Sequence, residues 1–282
     1  MYLQHFALHE LPFGLTPDTA FVFSTRAHQE ALNTLLVAAE SGEGFIKITG
    51  EVGTGKTLLC RRFLATLPAD ALSCYLPNPN HTPRTLLFAL AEELGASLPA
   101  ASDEFTLLKK INDTLLHLAA EGRRVVVCVD EAQALKSASL ETLRLLSNLE
   151  TEKRKLMQVV LFGQPELDAK LAQPNLRQLR QRISFHYRLG ALSRDELALY
   201  LDHRLRVAGY RGAAVFSRGA VAALHRASRG TPRLVNILAH KALLAVYGRG
   251  GVVVERRDIR DAARDTMDSS TARFGWLTWL FR

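Results

Sequence analysis

The sequence is poor in the features that build secreted, metal-centred or membrane-spanning proteins. It has three cysteines, Cys60, Cys74 and Cys128, with no C-x-x-C spacing. So small and odd a set gives no disulfide framework, and the three read as buried free thiols of a reducing cytosol. Nine histidines show no H-E-x-x-H or related spacing, so no structural metal is expected. No apolar run approaches the ~18 residues of a spanning helix, so no integral membrane span is expected. Met1-Tyr2-Leu3-Gln4-His5 has neither the basic start nor the apolar stretch of a signal peptide. There is no internal repeat and no low-complexity tract.

What is present is a globular balance, 48% hydrophobic and 23% charged. The 282 residues suffice for one large domain and a smaller one. The net charge of +8 leaves room for a nucleic-acid or anionic-membrane partner. The basic residues read as dispersed, which fits a mildly basic soluble enzyme.

One stretch organises the rest. Gly50-Glu51-Val52-Gly53-Thr54-Gly55-Lys56-Thr57 has the phosphate-loop pattern G-x-x-x-x-G-K-[ST]. Upstream, Phe45-Ile46-Lys47-Ile48-Thr49 reads as a strand; downstream, Leu58 to Leu64 has apolar residues at helical spacing. Glycines let successive N–H groups turn inward to phosphate oxygens, and the helix N-terminus adds partial positive charge. The expected cradle is Gly50, Glu51, Val52, Gly53, Thr54, Gly55, Lys56, Thr57 and Leu58. Lys56 would reach the β- and γ-phosphates of ATP, and the Thr57 hydroxyl would ligate Mg²⁺.

Around the loop, strands and helices alternate. Strands are expected at Leu72–Leu76, Val125–Val129, Met157–Phe162 and Ile183–Leu189, the last nearer a sheet edge because it alternates. Helices are expected over His28–Glu40, Arg84–Leu94, Phe105–Leu118 and Ser139–Leu149. The fold class is therefore α/β, a three-layer parallel sheet of the P-loop NTPase kind. From Ser193 the pattern is helical. Ser193 and Glu196 form a capping box, Ser217 an N-cap, Pro232 a first-turn residue and Asp258 the cap of a last helix. The organisation expected is an N-terminal segment (1–26), an ATPase domain (27–192), a small α-helical lid domain (193–268) and an aromatic tail (269–282). Phe6, Phe13, Phe21 and Phe23 in the first segment pack over the sheet edge or cover the adenine base.

The remaining chemistry follows the strands. Val125–Val129 ends in Asp130-Glu131, a Walker B pattern. Asp130 is assigned to Mg²⁺ and Glu131 to the water that attacks the γ-phosphate. The phosphate loop is expected on a strand neighbouring this one. Gln164, at the tip of Met157–Phe162, is either a γ-phosphate sensor or a turn residue before a helix started by Pro165. Arg177, Arg180 and Arg182 are either a solvated helix face or the source of an arginine finger. Arg182 is the first choice and Arg180 the reserve. Arg233, in a first helical turn where the dipole disfavours a cation, is a candidate lid sensor.

This order of motifs resembles the AAA+ ATPases over nearly the whole chain. Pro12-Phe13, Thr16-Pro17-Asp18, Gly44-Phe45 with the phosphate loop, and Gly163-Gln164-Pro165-Glu166-Leu167 resemble more narrowly the general secretion pathway protein A (ExeA) group. Within it they resemble the branch associated with MSHA-type IV pilus biogenesis. The resemblance implies an ATP-hydrolysing enzyme that self-associates as a ring or ATP-dependent oligomer. It also implies pilus or secretion-system partners at the inner membrane, and a cytoplasmic or peripheral location. Larger members of the group continue into a membrane span and a peptidoglycan-binding domain. Residues 1–282 include neither, so direct peptidoglycan binding is not expected. The alternative function is a DNA-directed ATPase of the transposition-helper or replication-loader type. Against nucleic acid as partner stands the lack of a recognisable helix-turn-helix unit. The tail Phe274–Phe281, between Arg273 and Arg282, holds both tryptophans. It is expected either to dock on protein or to lie at a membrane interface.

Overall fold

A computed structural model describes residues 2–15, 19–21, 23–42, 44–77, 81–96, 98–150 and 155–266. The aromatic tail, Thr16-Pro17-Asp18 and the Asn78-Pro79 strand stop lie outside the described residues. The chain forms two compact units. One comprises Arg26–Gly50 and Lys56–Leu189; the other comprises Met1–Thr25, Glu51–Gly55 and the chain from Gly190 on.

The chain starts with a short helix α1 (Tyr2–His5). In the α/β unit, five strands are β1 (Phe45–Gly50), β2 (Ala71–Leu76), β3 (Arg124–Val129), β4 (Met157–Gly163) and β5 (Ile183–Leu189). They form one sheet in the order β2-β3-β4-β1-β5, with every pair parallel. The helices are α2 (Arg26–Glu40), α3 (Lys56–Thr66), α4 (Pro83–Glu93), α5 (Glu104–Ala120), α6 (Ser137–Leu146), α7 (Glu166–Leu171) and α8 (Arg177–Gln181). Side chains alternate across a strand, so β3 feeds two cores. Val125, Val127 and Val129 join Leu86, Leu90, Leu107 and Leu143 on one face. Val126 and Cys128 join Leu35, Leu59 and Phe63 on the other. A strand covered on both faces is mostly apolar, which is why β3 reads as an unbroken apolar run from Val125; β4 does so from Val159 to Phe162, after a buried Gln158 whose amide donates to the Ala38 carbonyl at 3.1 Å.

The structure corrects the expected strand order. β4 lies between β1 and β3, so the phosphate loop and the Asp130-Glu131 pair are carried two strands apart. β5 is at the edge, as its alternation indicates, with an exposed–intermediate burial pattern. α6 starts two residues and stops three residues earlier than expected, and the Ser147 hydroxyl just past its end donates to the carbonyl of Arg144 (2.7 Å). All three cysteines are buried and free.

The helical unit contains α9 (Arg194–Val207), α10 (Arg218–Ser228), α11 (Pro232–Gly248) and α12 (Arg256–Arg264). The Ser193–Glu196 capping box closes α9, and the Ser217 hydroxyl accepts from the N–H of Ala220 at α10. At α12 the cap is Glu255; Asp258 is its reciprocal N3 partner rather than the cap itself. The N-terminal segment belongs to this unit. Tyr2, Phe6, Phe13 and Phe21 are buried in the core of this unit, together with Leu201, Leu238 and Leu243. Phe13 meets Phe216 edge-on at 5.9 Å, and Phe23 meets Tyr200 at 5.7 Å. The basic residues are not dispersed either. Residues 190–266 hold fourteen Arg and Lys against seven Asp and Glu, and the rest of the chain holds 22 against 21.

Candidate active site

The phosphate loop follows the buried end of β1. Gly53 and Gly55 have φ of +80° and +94°, the left-handed region in which a Cβ is strained. Thr54, buried, closes the loop through its hydroxyl to the carbonyl of Glu51 (2.9 Å). Glu51 and Val52 are exposed at the loop tip. Lys56, the first residue of α3, is 5% exposed, and its Nζ donates to the Gly50 carbonyl at 2.8 Å. The ammonium is therefore held inside the loop's curve before any anion arrives. Thr57 and Leu58 follow on the same first turn, both half-buried. Gly53 has a second reason to be glycine. A Cβ there would stand 2.4 Å from the Cβ of Arg233, the second residue of α11. The predicted lid arginine, itself exposed, thus packs against the loop segment that belongs to its own unit.

Asp130 and Glu131 leave the end of β3 in different environments. Asp130 is 3% exposed. Its Oδ1 accepts from the backbone N–H of Glu131 (3.0 Å), and its Oδ2 takes a longer bond from the Tyr75 hydroxyl (3.4 Å). Burial, then the charge of Asp130, pushes the Tyr75 phenol up to about 12, so it stays a donor. Glu131 sits at φ +53°, ψ +36°. A non-glycine residue in that region costs on the order of 1–3 kcal/mol and needs neighbours that hold it there. Two amides do so: Gln133 Nε2 donates to Glu131 Oε2 at 2.6 Å and Gln164 Nε2 to the same oxygen at 3.1 Å. Glu131 and Gln164, widely separated in sequence, are thereby brought together across β3 and β4.

Arg182 is elsewhere. It ends α8 directly before β5, half-buried, with Nη1 on the Ser147 hydroxyl at 3.2 Å. Ile183 is level with Phe45 at the start of β1, whereas the phosphate loop begins past Gly50 at its end. At ~3.3 Å per residue this is roughly 17–20 Å along the sheet. Arg177 and Arg180 are both exposed. Sequence reasoning did not find Gln133, Tyr75 or Lys170. Lys170 Nζ binds the backbone carbonyls of Gln133 and Leu135 (2.6 Å to the latter) and so fixes the turn behind Glu131. A lone Tyr in a strand and a Gln in a turn carry no periodic signal; only the Asp-Glu-Ala-Gln run beside a phosphate loop marks them.

Similar proteins place this geometry. The family described as AAA domain matches residues 39–171. The Pyrobaculum aerophilum Cdc6p structure superimposes with a TM-score of 0.67 at 18% identity, over 89% of this chain and 71% of that one. The ADP form of the Aeropyrum pernix ORC2 protein gives 0.65 at 17% identity, over 91% and 72%. This is a AAA P-loop NTPase fold. The Thermotoga maritima RuvB Holliday junction branch migration motor is a more distant example, at 0.53 and 14%, over 87% and 72%. Sequence similarity points more narrowly. The chain is 44% identical over 263 residues to the general secretion pathway protein A of Aeromonas hydrophila. That match covers 93% of this chain and 48% of the relative, so the chain spans about half the length of the protein it resembles. Among the described residues of this AAA fold, no helix is long and apolar enough to cross a membrane.

Proposed function

We propose that the chain binds MgATP and hydrolyses it, and that it does so in support of a secretion-system or type IV pilus assembly. The observation that carries the chemistry is the Glu131 carboxylate, held by two amides next to Asp130 at the end of β3, in the sheet whose β1 leads into the phosphate loop. The residues fit the nucleotide: two left-handed glycines, a buried ammonium and a helix N-terminus would hold the phosphates. Thr57 and Asp130 offer a hydroxyl and a buried carboxylate, the hard oxygen donors that Mg²⁺ requires. A Mg²⁺ ion held by Thr57 and Asp130 would supply positive charge against the phosphate oxygens during transfer. Glu131 orients and deprotonates the attacking water. Gln164, on the same carboxylate, is placed to exchange it for a γ-phosphate oxygen. Arg233 serves as the lid sensor.

A finger arginine completes the site in trans. Arg182 lies at the far end of the sheet from the start of its own loop, a placement that supports delivery to a neighbouring copy and hence self-association. The partners are secretion or pilus proteins at the inner membrane, by similarity to protein A of Aeromonas; within that group the pilus ATPase MshM is the finer reading. The location is then cytoplasmic or peripheral to the membrane. A DNA-directed ATPase is the second reading, favoured by the excess of seven positive charges over residues 190–266.

Phosphate-release assays on purified protein test the enzyme: Glu131→Gln should bind ATP normally and lose at least about 100-fold in turnover, the scale of general-base catalysis. Wild-type turnover in that variant would place the base elsewhere. The same variant, locked with ATP, then serves as bait in its native cell. Recovery of pilus or secretion components supports the first reading. Tight DNA binding that falls steeply with salt, without such components, supports the second.

A further inference from the structure

We propose that Gln133 is a positioning residue for hydrolysis: its one amide ties the Glu131 carboxylate and the Gln164 turn into a single unit. The inference rests on the reading of Glu131 as the water-polarising base. Both ends of the amide are used. Nε2 donates to Glu131 Oε2 at 2.6 Å, and Oε1 accepts the backbone N–H of Gln164 at 3.0 Å. The side chain of Gln164 returns to the same Glu131 oxygen. A closed ring of three residues thus joins the end of β3 to the end of β4.

The surroundings are built for that ring. The backbone of Gln133 is pinned by Lys170, whose Nζ binds its carbonyl. Gly163, directly before Gln164, is fully covered and leaves room for the amide. A Cβ at Gly163 would lie 3.3 Å from Gln133 Oε1 and 2.7 Å from Leu167 Cδ2. Gln133 itself is half-buried and touches none of the loop residues through a described hydrogen bond. Its role is to fix where Glu131 points, and to make any movement of the Gln164 turn felt at that carboxylate. Both donors take the same oxygen, Oε2, so the role as base falls to Oε1.

Two variants separate its halves. Gln133→Met removes both bonds at similar volume. Gln133→Glu keeps an acceptor for the Gln164 N–H but puts a second carboxylate beside Glu131. In Gln133→Glu, kcat should fall at unchanged ATP affinity, because the new carboxylate repels Glu131 and offers it no N–H donor. In Gln133→Met, kcat should fall about 10–100-fold, the usual loss when an orienting partner is removed, with ATP affinity and melting temperature near wild type. A purely structural Gln133 would instead lower the melting temperature and weaken ATP binding in step with kcat. That result, or wild-type kcat in Gln133→Met, overturns the inference. The Glu131→Gln control keeps the two claims apart. If it retains turnover, the base assignment fails. If it is inactive while Gln133→Met is fully active, only the positioning role fails.

Discussion

The α/β unit and the helical unit both bury polar groups, and they bury them differently. In the helical unit each buried group ties one local segment down. Arg204 donates to the carbonyl of Pro12 and to the Tyr200 hydroxyl (3.2 Å), and its guanidinium lies over the Phe21 ring at 4.7 Å. Asn236 donates to the Gly14 carbonyl and accepts from Tyr200 at 2.7 Å. These bonds anchor the N-terminal segment, and their capacity is spent on it. In the α/β unit, Asp130, Glu131 and Gln164 lie just past the ends of β3 and β4, and Lys56 opens the helix that follows β1 and its loop. Burial of a polar residue therefore says little about function. Its position at the end of a parallel strand says much more.

The sharpest way to test that contrast is between copies. Arg182→Ala should bind ATP normally and lose about 10³-fold or more in turnover, the scale of a trans-acting arginine. Mixing it with Lys56→Ala should restore part of the activity, and specific activity should rise with protein concentration. Arg180→Ala should keep turnover. The reverse pattern between the two arginines would move the role two residues upstream. Concentration-independent activity with no rescue would mean that each copy is complete alone.

The second test belongs to the helical unit. Asp258 is buried, pairs with Arg249 (Nη2 at 2.8 Å) and accepts the N–H of Glu255 at 2.7 Å. Arg249 is about a third exposed, so water can take it back when the partner is lost. Asp258→Ala should therefore cost about 2–3 kcal/mol, less than a fully buried pair. Chemical denaturation should show the loss with ATP affinity unchanged. If affinity falls as well, the helical unit is not separable from nucleotide binding.

How legible these regions were in the sequence follows the same divide. The strands β3 and β4 announce themselves, because burial on two faces favours apolar runs such as Val125–Val129 and Val159–Phe162. Lys56, Asp130 and Glu131 are fixed by motif plus strand end. The N-terminal segment is less legible. Phe6, Phe13 and Phe21 are plainly core residues, but which core they join depends on contacts with Tyr200, Arg204 and Phe216, far away in sequence. Asp258 was read as a cap because Asp is a good one; the capping box from Glu255, an unusual N-cap, outcompeted it. Gln133 and Tyr75 were invisible because a single polar side chain has no period. The intervening β4 was equally hidden, since strand order is set by crossovers and not by local pattern.

A smaller effect returns to the phosphate loop. Lys56→Ala removes a charged donor already aimed into the loop. ATP affinity should fall about 10–100-fold, matching the roughly 1.5–3 kcal/mol of a charge-assisted bond. Calorimetric titration measures it. The melting temperature without nucleotide should not drop, since a buried ammonium is costly to keep in the fold. Unchanged affinity would remove the loop from the reading of this chain as a nucleotide-binding protein.

The smallest expected effect compares one histidine in each unit. His240 of α11 shares its Nδ1 with the Tyr2 hydroxyl at 2.9 Å, and burial holds its pKa below the ordinary value. His186 of β5 faces the Thr49 hydroxyl at 3.2 Å, and burial, then the charge of Lys47, holds its pKa down too. A depressed histidine pKa means that the folded state prefers the neutral ring. The unfolded chain then binds more protons in the window just below the ordinary histidine pKa of ~6.5. The stability from neutral rings is complete above that value and is lost as pH falls through the window. Urea midpoints measured between pH 7.5 and 5 should thus decline for the wild type. His240→Gln still offers a polar partner to Tyr2 but cannot take the proton, so its decline should be shallower. His186→Gln should flatten the curve as well, to a similar small extent. If neither variant changes the slope, both rings are solvated well enough to carry a proton in the fold, and the acid sensitivity has its source in other groups.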